Sequence, residues 1–223
     1  MSTVVTIQGP HQKEALVAAG HPLAGAAATM VMVHGRGATA ESILTLAEEF
    51  RRPDFAYLAP QAAGYTWYPY SFLAPMHQNE PGLSSGLARI GEVLARIEAA
   101  GIPPERTILL GFSQGACLTL EHAARNPRRY GGVVGLSGGL IGPPGTPRNY
   151  QGSFAGTPVF LGCSDRDPHI PLERVTETAE VLAEMEAAVT KRIYPAMGHT
   201  VNEDELDFVR RLMEDVAAPG GSQ

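Results

Sequence analysis

Short apolar runs alternate along the chain with longer stretches in which apolar residues recur every three or four positions. Runs at residues 4–7, 29–33, 55–59, 107–110, 132–136, 158–162 and 189–194 have strand length and read as strands. Between them, Leu83, Leu87, Ile90, Leu94 and Ile97 step by four and three, which places one apolar stripe on a helix that Gly101 ends. A second helix is predicted from about residue 172 to 188 through Val175, Ala179, Leu182 and Met185, with Pro171 tolerated in its opening turn. A third follows Thr200, where Thr200 and Glu203 have the spacing of a capping box ahead of Leu206, Phe208, Val209 and Leu212. Another helical pattern opens at Ala116-Cys117-Leu118.

Strands joined by crossover helices build a mostly parallel central sheet flanked by helices on both faces, so the fold class is α/β. Two long stretches break the alternation: residues 60–82, rich in aromatics and proline, and residues 138–156, rich in glycine and proline. Loops of that length tend to carry function.

With 223 residues, 44% hydrophobic and 18% charged, the chain can bury one sizeable core, so we expect a single domain over residues 1–218. Residues 219–223, Pro-Gly-Gly-Ser-Gln, are expected to be a disordered tail. The net charge of -6, with basic residues scattered as pairs such as Arg128-Arg129, argues against a nucleic-acid partner. No stretch approaches the ~18 apolar residues of a membrane span, and no basic segment precedes a long apolar run at the N-terminus. A cytoplasmic protein without membrane insertion is the expectation. Cys117 and Cys163 lack the spacing of a disulfide framework or a metal site, so no metal and no organic cofactor are expected.

The chemistry concentrates in four places. Gly111-Phe112-Ser113-Gln114-Gly115 follows the apolar run Thr107-Ile108-Leu109-Leu110 and precedes a helix. A serine on such a strand-to-helix turn is raised above the sheet edge, which makes Ser113 the candidate nucleophile. Met30-Val31-Met32-Val33 ends in His34-Gly35-Arg36-Gly37, whose glycines let backbone amides turn toward the nucleophile as one oxyanion donor. The amide of Gln114, at the start of its helix, supplies the other.

The strand at 158–162 releases a loop holding Asp165 and Asp167. Asp167 is preferred as the acid, because Pro168 holds it extended; Asp165 is the alternative, with bonds to local amides or Arg166 as its structural role. The last predicted strand leads into Gly198-His199, giving the order Ser113, Asp167, His199.

Other histidines have structural readings. His34 suits a buttress of the oxyanion loop, His169 a place on the pocket lining, and His11, His21, His77 and His122 surface or satisfied core positions. The aromatics Tyr65, Trp67, Tyr68, Tyr70 and Phe72 form either the wall of an acyl or aryl pocket or a lid packed on itself. The Arg36 side chain meets an anionic group of the substrate or pairs with an acid and shapes its loop.

His34-Gly35-Arg36-Gly37, Gly111-Phe112-Ser113-Gln114-Gly115-Ala116, Asp165-Arg166-Asp167-Pro168 and Gly198-His199 resemble the motifs of the phospholipase/carboxylesterase branch of the α/β-hydrolases. That family includes acyl-protein thioesterases and small bacterial carboxylesterases, and the resemblance spans nearly the whole chain. It implies an α/β-hydrolase fold, a triad of Ser113, Asp167 and His199, and an oxyanion hole from the amides of Arg36 and Gln114. Eukaryotic-type acyl-protein thioesterases resemble one another in a tryptophan followed by an acidic residue after the third strand. Here Trp67-Tyr68-Pro69 stands instead, which is closer to the bacterial carboxylesterases.

The expected function is therefore serine carboxylesterase action on short-chain or small aryl or alkyl esters. Trp67, Tyr68, Tyr70, Phe72 and His169 are the expected substrate-binding residues. The alternatives are an acyl-thioesterase or lysophospholipase, and a non-catalytic small-molecule binder on the same fold. A homodimer is common among relatives.

Overall fold

The computed structural model describes residues 9–50 and 52–218. The strand expected at 4–7 and the tail expected at 219–223 lie outside the described residues. Seven strands form one sheet: β1 (Leu16–Gly20), β2 (Ala28–Val33), β3 (Phe55–Pro60), β4 (Thr107–Phe112), β5 (Gly132–Leu136), β6 (Pro158–Ser164) and β7 (Ala188–Tyr194). Their order is β1-β3-β2-β4-β5-β6-β7, with β1 antiparallel to β3 and every other pair parallel.

The central strands are buried apart from Phe112 and Pro158 at strand ends, and alternate residues serve opposite faces. Val31, Leu109, Val133 and Leu161 pack on one side with α2 (Gly82–Ala99), α3 (Gln114–Arg125) and α4 (Leu172–Glu184). Met30, Ile108, Val134 and Phe160 pack on the other with α1 (Ala40–Phe50) and α5 (Glu203–Ala217). This is the α/β-hydrolase arrangement: a mostly parallel sheet covered by helices on both faces.

Three local readings need correction. β1 was not expected: Leu-Val-Ala-Ala-Gly is short and half-buried, as an edge strand paired on one side is, and its apolar signal is weak. The helix predicted to reach residue 188 stops at Glu184, and Ala188 already belongs to β7. The capping box of α5 is formed by Asn202 and Glu205 rather than Thr200 and Glu203. Asn202 is extended and accepts from the Glu205 amide at 3.0 Å, while the buried Glu205 carboxylate accepts from the Asn202 amide at 2.9 Å.

The chain turns in opposite directions after β2, since β3 lies on one side of it and β4 on the other. Such a switch leaves a crevice at the carboxyl ends of the strands. The loop after β2 and the turn after β4 both open there.

Candidate active site

Ser113 occupies the turn between β4 and α3 with φ 55° and ψ -121°, a backbone conformation that side-chain-bearing residues rarely adopt. Close packing holds it there. A methyl group on Gly111 would lie 2.4 Å from the carbonyl oxygen of Gly115, and one on Gly115 would lie 2.1 Å from that of Val33. Both glycines of the motif are thus required by backbone approaching backbone. The Ser113 amide donates to the Leu136 carbonyl at 2.9 Å, tying the turn to the next strand.

The structure brings the three expected polar side chains together. His199 Nε2 lies 2.8 Å from Ser113 Oγ, and His199 Nδ1 lies 2.7 Å from Asp167 Oδ2. With Nδ1–H donating to the carboxylate, Nε2 is left as the acceptor for the serine hydroxyl. Asp167 Oδ1 accepts from the amides of His169 at 2.8 Å and Ile170 at 3.1 Å. Burial of the Asp167 carboxyl opposes ionisation, but the hydrogen bonds from His199 and the two amides outweigh it and hold its pKa below the ordinary value. Its side chain is shielded from solvent, whereas that of His199 is partly open.

Asp165, the alternative acid, accepts from the Ala196 amide at 2.7 Å, and its own amide donates to the Tyr194 carbonyl. Ser164 Oγ accepts from the Gly198 amide at 3.2 Å. These bonds fix the loop carrying His199, so Asp165 takes the local-amide role rather than the orienting one.

Across the crevice, Gly35 approaches Ser113 so closely that a methyl group on it would lie 3.3 Å from the serine Cβ. The amide of Gln114, first residue of α3, has no intrahelical partner and stands beside this loop. His34 is fully buried: its Nδ1 donates to the Gly35 carbonyl at 2.8 Å and its Nε2 accepts from the Ala62 amide at 3.1 Å. Desolvation lowers its pKa, consistent with a neutral ring that buttresses the loop.

The 62–72 segment is hung on this apparatus. Gln114 Oε1 accepts from the Trp67 amide at 2.9 Å and Gln114 Nε2 donates to the Tyr68 carbonyl at 2.8 Å. The Arg36 guanidinium donates to Thr66 Oγ1 and to the carbonyls of Tyr68, Pro69 and Tyr70 at 2.7–3.0 Å. Its bonds go to neutral oxygens, so the expectation that it pairs with an acid is corrected.

A cavity of about 640 Å³ opens over Ser113 and His199, walled by Tyr68, Tyr70, Phe72, Phe112, Ile170 and His169 among others. Trp67 is not on its wall. The indole is fully buried, donates from Nε1 to the His34 carbonyl at 2.9 Å, and lies against His11 and His34. Its substrate-binding assignment is corrected: the side chain supports the loop at residues 34–37. Tyr65 also lies off the wall and is exposed.

His11 was read without a partner in view, yet its ring bridges the Trp67 carbonyl and the Ala63 amide at 2.9 and 3.0 Å. His122 is a satisfied core residue on the Leu87 carbonyl. Among the described residues, no helix is long and apolar enough to cross a membrane.

The phospholipase/carboxylesterase family profile matches residues 14–216, and the chain belongs to this family of hydrolases. A phospholipase/carboxylesterase structure from Dyadobacter fermentans is 45% identical, with a TM-score of 0.88 over 93% of this chain and 99% of that one. The curated acyl-protein thioesterase 1 of Gibberella zeae is 26% identical over 86% of this chain and 92% of its own length. That of Aspergillus fumigatus is 27% identical over 86% and 89%.

Proposed function

We propose that the protein is a serine carboxylesterase that hydrolyses short-chain or small aryl and alkyl esters through an acyl-enzyme on Ser113. The observation that carries this reading is the hydrogen-bonded line from Ser113 Oγ through His199 to Asp167 at 2.8 and 2.7 Å, at the floor of an open cavity.

In the first step Ser113 Oγ bonds to the acyl carbon while His199 Nε2 takes its proton. The oxygen of the tetrahedral intermediate becomes negative between the amides of Arg36 and Gln114. The carbon–oxygen bond to the alcohol then breaks as Nε2 returns the proton to the leaving oxygen. Water repeats the sequence on the acyl-enzyme, and Asp167 holds the imidazole tautomer throughout.

Small dissolved esters are favoured because the only large hydrophobic side chains exposed among the described residues are Tyr65 and Tyr70. An enzyme working at a lipid interface presents a broad apolar face. Thioester hydrolysis is the second reading, supported by the acyl-protein thioesterases among the relatives.

A panel of 4-nitrophenyl esters and acyl thioesters on the native protein and on Ser113→Ala tests both. We expect activity to fall from butyrate to palmitate, kcat to drop by about 10⁴-fold or more in the variant, and a fluorophosphonate to label Ser113. An unlabelled Ser113 with no ester or thioester turnover would favour a binding protein on the same fold; palmitoyl thioesters as best substrates would favour the second reading.

A further inference from the structure

The leaving group departs on the His199 side, because Nε2 must reach the leaving oxygen to protonate it. That side has a second imidazole. The ring of His169 stands edge-on to that of His199, with centroids 4.8 Å apart and planes at 78°. It is exposed and lines the cavity. Its mounting is tied to the triad itself, since the His169 amide donates to the same Asp167 carboxylate whose other oxygen holds His199. The His169 backbone is therefore held relative to the reacting atoms, and its exposed ring, edge-on to His199, stands on the cavity wall where it can meet a ligand.

Tyr70 lines the same cavity, and its backbone is also held. Tyr70 is 58% exposed, yet its amide donates to Asn79 Oδ1 at 2.9 Å and its carbonyl accepts from Arg36 at 2.7 Å. A tyrosine ring exposed on a pinned backbone offers a flat stacking face with only its two side-chain torsions left to order.

The charge of the mouth differs from that of the chain. The whole sequence carries -6, but none of the residues lining this cavity is acidic, and Arg36 is among them. The Arg36 hydrogen bonds all go to neutral oxygens, which leaves its positive charge without a counter-ion in that set. A cationic spot walled by protein on an anionic molecule attracts a negative group.

We propose that His169 and Tyr70 form a leaving-group subsite for planar aryl alcohols that carry a carboxylate, so that the favoured substrates are O-acyl hydroxyaryl acids. The ring stacks on Tyr70, and the carboxylate accepts from the His169 imidazole within the field of Arg36. This rests on the serine esterase reading and adds the chemistry of the departing half.

The test compares 4-acetoxybenzoate with 4-acetoxybenzamide, its neutral near-isostere. Both give the same acetyl-enzyme, so a difference in kcat/KM arises in binding and acylation, where the leaving group is present. The native enzyme is expected to prefer the carboxylate about tenfold, in line with a hydrogen bond to a charged group at an open site, and about 0.5 M salt should shrink the preference. His169→Ala should abolish the preference, and His169→Gln, which keeps a donor, should restore part of it.

Equal kcat/KM for the two esters in the native enzyme, or a preference unchanged in His169→Ala, would overturn the proposal. Calorimetric binding of 4-hydroxybenzoate and 4-hydroxybenzamide to Ser113→Ala reads the subsite without turnover. Preferential binding of the carboxylate there supports the subsite even if every ester proves inert, and equal affinities refute it.

Discussion

Replacing Gly115 with alanine separates placement of the oxyanion loop from the chemistry of the triad. The added methyl would lie 2.1 Å from the Val33 carbonyl oxygen and 2.5 Å from that of His34, where ordinary contact begins at 3.4 Å. Neither atom is the tip of a flexible side chain. Val33 is the last residue of β2 and His34 the first of the loop, so α3 and the loop must part by about an ångström. That separation widens the gap between the Arg36 and Gln114 amides while leaving Ser113, His199 and Asp167 chemically intact. A misplacement of that size costs about 10² in rate, and outright loss of one oxyanion donor about 10²–10³. Overpacking also costs about 1–3 kcal/mol of stability. We expect kcat for 4-nitrophenyl butyrate to fall about 10²-fold with KM changed little, measured well below a melting temperature itself lowered by several degrees. A folded Gly115→Ala protein with kcat within about threefold of native would refute the placement of the oxyanion hole.

Two further outcomes test the surrounding scaffold. Trp67→Phe leaves the buried His34 carbonyl without its indole donor, so stability should fall by about 1–3 kcal/mol in urea titrations; an unchanged midpoint would show that another donor takes over. Glu205 is fully buried, and desolvation pushes its carboxyl up from 4.5 to about 7. Because the folded value lies above the unfolded one, its contribution is fully present below pH 4.5 and is lost as the pH rises through about 7. Glu205→Gln keeps an acceptor for the Asn202 amide without this titration. The native protein should therefore lose about 3 kcal/mol relative to the variant between pH 4.5 and 8, and a pH-independent difference would refute the assignment.

The parts of the site legible in the sequence are those whose backbone demands are local. Gly111 and Gly115 flank Ser113 because the turn crowds backbone atoms, and such crowding leaves glycines at fixed offsets. Pro168 after Asp167 and Gly198 before His199 belong to the same kind of signal. The missed features depend on distant partners. Trp67 reads as an apolar wall residue until Gln114, 47 positions away, is seen to hold its amide and His34 to take its indole N–H. Arg36 reads as a contact for a substrate anion or as half of an ion pair until four oxygens of residues 66–70 converge on it. α1 had a usable signal, since Ile43, Leu44, Ala47 and Phe50 recur at helical spacing. The capping box of α5 was ambiguous because Thr200–Glu203 and Asn202–Glu205 share one spacing, and burial of Glu205 selects the second.

The same long-range bonds decide what the aromatic segment is. A lid needs weak attachment along its length and anchors only at its hinges. Here His11 and His34 hold the amides of Ala63 and Ala62, Gln114 holds Trp67 and Tyr68, Arg36 holds four acceptors on Thr66, Tyr68, Pro69 and Tyr70, and Asn79 holds Tyr70 and Ser71. The residues that adjoin Ser113 and support the loop at residues 34–37 thus also fix the cavity wall. On the proposed esterase reading, discrimination between substrates comes from the side chains that Tyr68, Tyr70 and Phe72 present to the cavity rather than from closure, and a substitution that frees this wall should disturb catalysis and selectivity together.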